Sequence, residues 1–223
     1  MTEVTVAQDV LHDNARDAKA NRQRFDEAGV YVLNIMSGPG AGKTTLLERT
    51  AEALKAKLKV AIITGDLETR RDADRLGRHG IPALQINTGG ACHIEAHQIA
   101  KACDELDLKS LDVLIIENVG NLVCPAEFEL GEHDKAMILS CAEGHDKPGK
   151  YPLMFRESRA MLLNKIDLLP YTNFDVDAAV RDARALNPKL EVLKMSARTG
   201  EGLEEWYGWI ETRCKAVRAG RES

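Results

Sequence analysis

The chain has 223 residues, 44% of them apolar and only 4% aromatic, with a formal net charge of −5 at pH 7. That length suits one large α/β domain with a sizeable core, and the acidic balance removes any overall electrostatic drive toward nucleic acid. Glu3, Asp9, Asp13 and Asp17 stand where a basic-then-apolar leader would be, no apolar run reaches bilayer-spanning length, and the five cysteines lack C-x-x-C spacing. Neither secretion nor membrane insertion is expected, and the thiols point to a reducing, cytoplasmic compartment.

Residues 4–27 are mostly polar, with Val6, Val10 and Leu11 at helical spacing, which predicts a leading helix packed weakly on the body. Strand-like and helix-like segments then alternate: strand 31–36, helix 44–57, strand 59–64, helix 68–79, strand 82–87, helix 93–106 and strand 112–117. Further strands near 135–142, 160–164 and 190–195 alternate with helices near 175–186 and 202–217, and 143–151 reads as an exposed loop. The rhythm predicts an α/β fold with a largely parallel sheet, helices on both faces and ligands gathered at the strand C-terminal ends.

Between the first strand and the next helix lies Ser37-Gly38-Pro39-Gly40-Ala41-Gly42-Lys43-Thr44-Thr45, a P-loop in which Ser37 stands at the usual first glycine. Backbone N–H groups of such a loop surround a phosphate at a helix N-terminus, Lys43 reaches the β/γ-phosphates and Thr44 ligates Mg²⁺. The organisation expected is a helical extension over 1–28, a P-loop NTPase domain over 29–217 and a tail over 218–223.

Asn164-Lys165-Ile166-Asp167 follows the apolar run Met161-Leu162-Leu163, and Ser196-Ala197-Arg198 follows the last strand. A carboxylate at Asp167 accepts both the N1–H and the exocyclic amino protons of guanine, whereas adenine leaves it unpaired. The Ala197 N–H is expected on guanine O6 and Lys165 along the base, so the nucleotide is GTP rather than ATP. Asp66 and Glu117, each ending an apolar strand, are candidates to hold Mg²⁺ with Thr44. For Asp66 the alternative is a helix N-cap ahead of Glu68-Thr69. The combination resembles the P-loop GTPases, and Gly120, three residues after Glu117, matches the glycine of their D-x-x-G motif whose N–H meets the γ-phosphate, with Glu117 in place of the Asp. Asn121 follows Gly120 where a water-orienting glutamine would serve, so slow hydrolysis is expected, with Lys43, Thr44, Asp66, Glu117 and Gly120 as its machinery.

Cys92-His93 sits after Gly89-Gly90, where a strand ends and a helix is expected to begin. A helix N-terminus favours thiolate, and adjacent thiolate and imidazole invite a soft metal. Cys124 lies four residues past Gly120 and moves when that segment moves. Three donors do not close a tetrahedral site, so water, His97 or a second copy of the chain must supply the rest. Cys103 and Cys141 read as core, Cys214 is uninformative, and His12, His79, His133 and His145 are assigned no role.

These elements, together with Gly65-Asp66-Leu67-Glu68-Thr69 and Glu117-Asn118-Val119-Gly120-Asn121-Leu122-Val123-Cys124-Pro125, make residues 30–215 resemble the HypB family of GTPases, which assist nickel insertion into nickel–iron hydrogenases. The resemblance implies a GTP-promoted homodimer and a Ni²⁺ or Zn²⁺ site at the dimer contact, carried to Cys92, His93 and Cys124. It also implies, as partners, other hydrogenase maturation proteins and the hydrogenase large-subunit precursor. The N-terminal Cys-rich motif or His-rich tract of some members does not occur in this sequence, so nickel storage is not expected. The related urease-maturation GTPase carries Cys-Pro-His where this chain has Cys124-Pro125-Ala126. A small-molecule phosphotransferase would leave Asp167 and Cys92-His93 unexplained, and a passive metal store would need more clustered ligands than six dispersed histidines provide.

Overall fold

Residues 31–36, apolar at nearly every position, have the pattern of a strand covered on both faces. In the computed structural model, which describes residues 6–66 and 80–221, they belong to β1 (Tyr31–Ser37), buried along its whole length. The other strands are β2 (Val60–Asp66), β3 (Ala83–Asn87), β4 (Val113–Gly120), β5 (Asp134–Ser140), β6 (Ala160–Asn164) and β7 (Glu191–Lys194). They form a parallel sheet of order β3-β2-β4-β1-β5-β6-β7. The order reverses beside β1, which brings the P-loop that follows β1 to the topological switch point.

Alternation along each strand separates two layers. Leu33 and Ile35 of β1 and Val113 and Ile115 of β4 pack with Leu46, Leu47, Trp206 and Ile210 from α2 (Lys43–Leu54) and α8 (Leu203–Arg221). Val32, Leu114 and Ile116 point the other way, against Phe25 of α1 (Val6–Ala28) and Ile99 of α3 (Ala96–Cys103). At the β5–β6 end that second layer is completed by Met154, Phe155, Ala179 and Ala183 from α6 (Pro152–Glu157) and α7 (Val176–Leu186). Among the described residues no helix is long and apolar enough to cross a membrane.

Several expectations need correction. The second helix stops at Leu54 rather than 57, and the last runs to Arg221, so residues 218–221 continue a helix instead of forming a tail. The segment 143–151 holds a one-turn helix, α5 (Lys147–Lys150), with Pro148 buried, and is not simply an exposed loop. The leading helix is not loosely attached. Leu11 is exposed, while Ala18, Phe25 and Ala28 are buried and Asn14, Asn21, Arg22 and Arg24 bond to other elements. The side chains of Val6 and Val10 and the helix expected over 68–79 lie outside the described residues. A further short helix, α4 (Cys124–Glu127), was not legible in advance.

Candidate nucleotide and metal sites

The P-loop turns between β1 and α2 through positive φ at Gly40 (72°) and Gly42 (100°), conformations that favour glycine. Ser37 needs no such freedom, which is why it can replace the usual first glycine: it is buried, and its hydroxyl receives the Lys43 Nζ at 2.8 Å and donates to Gly38 O at 2.6 Å. Lys43, Thr44 and Thr45 open α2. The Thr44 hydroxyl donates to Glu117 Oε1 at 2.9 Å, bringing together two of the expected Mg²⁺ ligands. Both are hard oxygen donors of the kind Mg²⁺ takes. Asp66 ends β2, in register with Asn87 of β3; its side chain and the Glu68-Thr69 alternative lie outside the described residues. A side chain at Gly120 would come 3.2 Å from Pro39 Cα, so this glycine lets the end of β4 lie against the P-loop turn.

At the other end of the loop, Asn164 joins three elements. Its Nδ2 donates to Ala41 O at 2.8 Å and its Oδ1 receives the Ala197 N–H at 3.0 Å. The Ala197 amide, expected on guanine O6, is therefore engaged by Asn164. Lys165 adopts φ 64°, the one left-handed non-glycine among the described residues, and its Nζ donates to Gly40 O at 2.7 Å. Such a conformation is retained where surroundings enforce it, and here it ties the turn after β6 to the P-loop, with the aliphatic stem of Lys165 still able to lie along a base. Asp167 receives the Ser196 hydroxyl at 2.6 Å and faces Arg198 Nε at 3.2 Å. Gly42, Asn164, Lys165, Asp167, Ala197 and Arg198 line a cavity of about 340 Å³.

The three residues read as metal ligands converge. Cys92 Sγ lies 2.8 Å from Cys124 Sγ and 3.6 Å from His93 Nδ1, and one donor atom from each falls within 4.8 Å of the other two. The thiol–thiol contact and then burial push the Cys124 thiol up, while desolvation, partly opposed by Glu95, holds the His93 pKa down and favours the neutral ring. The His93 ring packs against Phe128 with centroids 3.8 Å apart and planes tilted by 31°; its buried Nε2 makes no hydrogen bond and lies 4.0 Å from Glu95 Oε1. Two soft sulfurs beside an imidazole nitrogen fit Ni²⁺ or Zn²⁺. One local expectation fails: α3 starts at Ala96, because Glu95 and Gln98 form a capping box there, so Cys92 does not occupy a helix N-terminus. His97 pairs with Glu95 at 3.2 Å outside the triad. Cys103, Cys141 and Cys214 are buried, and burial pushes the first to about 11 and the last to about 12.

Asn118, which sequence reasoning passed over, stands between the two sites. Glu117 and Asn118 are consecutive on β4 and serve opposite faces: Glu117 receives Thr44, whereas Asn118 Oδ1 receives the Ile94 N–H beside His93 at 3.3 Å. Asn118 also donates to Asn34 Oδ1, which continues the polar line into β1. Asn121 Nδ2 donates to Cys92 O at 3.3 Å and its Oδ1 receives the Val123 N–H at 3.0 Å. The signal for Asn118 was the period-2 side switch at the end of an apolar strand, which places neighbours on opposite faces.

Residues 31–194 match the CobW/HypB/UreG, nucleotide-binding domain family. The hydrogenase maturation factor HypB of Azotobacter vinelandii is 52% identical over 215 residues, covering 95% of this chain and 71% of that protein. HypB of Escherichia coli K12 is 51% identical over 215 residues, covering 96% and 73%. The crystal structure of HypB from Helicobacter pylori in complex with nickel superposes with a TM-score of 0.87 at 41% identity, covering 92% of this chain and 96% of that one. A LAO/AO transport system kinase, at 17% identity and a TM-score of 0.53, shares the fold alone.

Proposed function

The chain belongs to the HypB hydrogenase maturation factors of the CobW/HypB/UreG family, and on that premise we propose that it is a slow GTPase whose nucleotide state controls a Ni²⁺ or Zn²⁺ site built from Cys92, His93 and Cys124. The observation that carries this reading is the pair Glu117 and Asn118, one bonded to the P-loop helix and the next to the backbone beside His93. Any change that ordering a γ-phosphate makes at the end of β4 reaches both faces of the sheet.

On the nucleotide side, Lys43 exchanges its Ser37 partner for the β/γ-phosphates, Gly120 offers its N–H to the γ-phosphate, and Thr44, Glu117 and Asp66 are the residues that would hold Mg²⁺. That ion, when bound, neutralises charge developing on the phosphates. Asn121 is engaged with Cys92 O and Val123 N, so it does not serve to orient attacking water. This supports slow turnover. On the metal side, three donors leave a tetrahedral site open, which supports a homodimer in which a second copy completes it. The metal is cargo for the hydrogenase large-subunit precursor.

Guanine selection rests on Asp167. Arg198, its ion-pair partner, is 80% exposed, and such a surface pair is worth little and yields readily to a base. Asp167→Asn removes one of the charge-assisted acceptors that guanine needs, and an unpaired donor costs about 1–3 kcal/mol. The expected outcome in competition binding is a loss of GTP-over-ATP preference of about 10–100-fold. Equal ATP and GTP affinity in the parent protein would overturn the assignment.

A further inference from the structure

The N-terminal helix α1 holds two buried polar side chains, Asn14 (6% exposed) and Asn21 (3% exposed), on the stripe that also buries Ala18, Phe25 and Ala28. Burying an amide is costly unless it is hydrogen-bonded, and both are bonded to two segments distant in sequence. Asn14 Oδ1 receives the Ala96 N–H at 2.8 Å while its Nδ2 donates to Glu129 O at 2.8 Å. Asn21 Nδ2 donates to Ala96 O at 2.8 Å and to Leu130 O at 3.0 Å. The two asparagines, seven residues apart on one helical stripe, thus take both backbone groups of Ala96 and tie them to consecutive carbonyls of the 129–130 loop.

The loop is shaped for this contact. Gly131 has φ 92°, and a side chain there would come 2.6 Å from Ala18 O and 2.7 Å from Asn21 Cβ, so only glycine lets the loop press against α1. The Arg22 guanidinium then takes Glu132 O. The clamped segments are the two walls of the metal site. Ala96 lies three residues after His93, and Glu129 directly follows Phe128, whose ring packs against His93, in the segment that begins at Cys124.

We infer that α1 is a positioning clamp for the metal site: Asn14 and Asn21 fix the separation of the Cys92–His93 and Cys124–Phe128 segments and so set the affinity for a thiophilic divalent cation. The inference rests on the reading of Cys92, His93 and Cys124 as metal ligands. It separates the two ends of the helix. Arg24 bonds α1 to the far end of α3, through Ala100 O, Cys103 O and Asp104, where it holds the fold without touching either wall of the site.

The test uses the full chain and Ni²⁺ alone, with affinity from competition against a chromophoric chelator and the thiolate-to-nickel charge-transfer absorption as a second readout. Asn14→Ala and Asn21→Ala should each weaken nickel binding about 10–100-fold, the loss seen when partners that orient metal ligands are removed. They should also alter the absorption band while leaving GTP-analogue affinity within about twofold. Arg24→Ala, the stability control, should lower Tm with nickel affinity unchanged. Parent-level nickel affinity in both asparagine variants overturns the clamp, as does an equal loss in Arg24→Ala at matched Tm. Should Asn21→Ala not fold, Asn14→Ala decides alone. A parent protein that binds no nickel removes the metal-site reading itself, which is a different result from a parent that binds and variants that match it.

Discussion

Replacing Lys43 by alanine is expected to lower GTP turnover by about 10²–10³-fold or more, the scale set by removing one preorganised donor from a developing negative charge. The expectation follows from position. Lys43 is the first residue of α2, and its Nζ sits on the Ser37 hydroxyl inside the P-loop turn, held where the β/γ-phosphates of a bound nucleotide would lie. Lys43 belongs to neither apolar layer; the buried face of α2 is made by Leu46, Leu47, Ala51 and Leu54, so the fold should survive the change. Single-turnover hydrolysis with saturating GTP separates chemistry from binding. Turnover within threefold of the parent, a margin of about 0.7 kcal/mol on the barrier, would remove Lys43 from the machinery.

The second large effect is on metal. Cys92→Ala and Cys124→Ala should each weaken nickel binding by more than about 100-fold, beyond what loss of an orienting partner costs, because each removes one of only two soft sulfurs in the cluster. His93→Ala should follow in the same direction. The contact with Cys92 raises the Cys124 thiol, so the metal must displace a proton there, and affinity should fall as pH is lowered. Polar contacts join the three side chains to one another and to Glu95 rather than to the P-loop, and GTP hydrolysis should remain measurable in all three variants. The check is nickel titration paired with a phosphate-release assay on the same preparations. Unchanged nickel affinity in Cys124→Ala would place the site elsewhere.

Much of this was legible in the sequence because the informative signals are local. An apolar run followed by Gly40, Gly42, Lys43 and Thr44 defines a strand, a turn and a helix within fifteen residues, and β1, α2 and the P-loop stand where that pattern puts them. Asn164 and Asp167 were located the same way, at and just past the end of the apolar β6, and the structure puts them there. Where the prediction failed, nonlocal bonds or end effects decided. Cys92 was expected at a helix N-terminus, but the Glu95–Gln98 capping box moved the start of α3 to Ala96. The bond between the Ala197 amide and Asn164, 33 residues away, could not be read from the sequence either. Asn14 and Asn21 drew no notice in the sequence because their partners lie 75 to 115 residues along the chain. Weak packing of α1 was inferred from Val6, Val10 and Leu11, yet the helix is held by its asparagines, by Arg24 and by Phe25.

The central claim is that nucleotide and metal share one switch at the end of β4, and thermodynamic linkage makes it directly measurable. Nickel affinity should be determined for the GDP-bound and the non-hydrolysable GTP-analogue-bound protein at matched oligomeric state, using the same chelator competition. The account predicts a difference of about 5–150-fold, a coupling of about 1–3 kcal/mol, with nickel changing nucleotide affinity by the same factor. Identical nickel affinity in the two nucleotide states would contradict it, leaving a GTPase and a metal site that share a chain without sharing a mechanism.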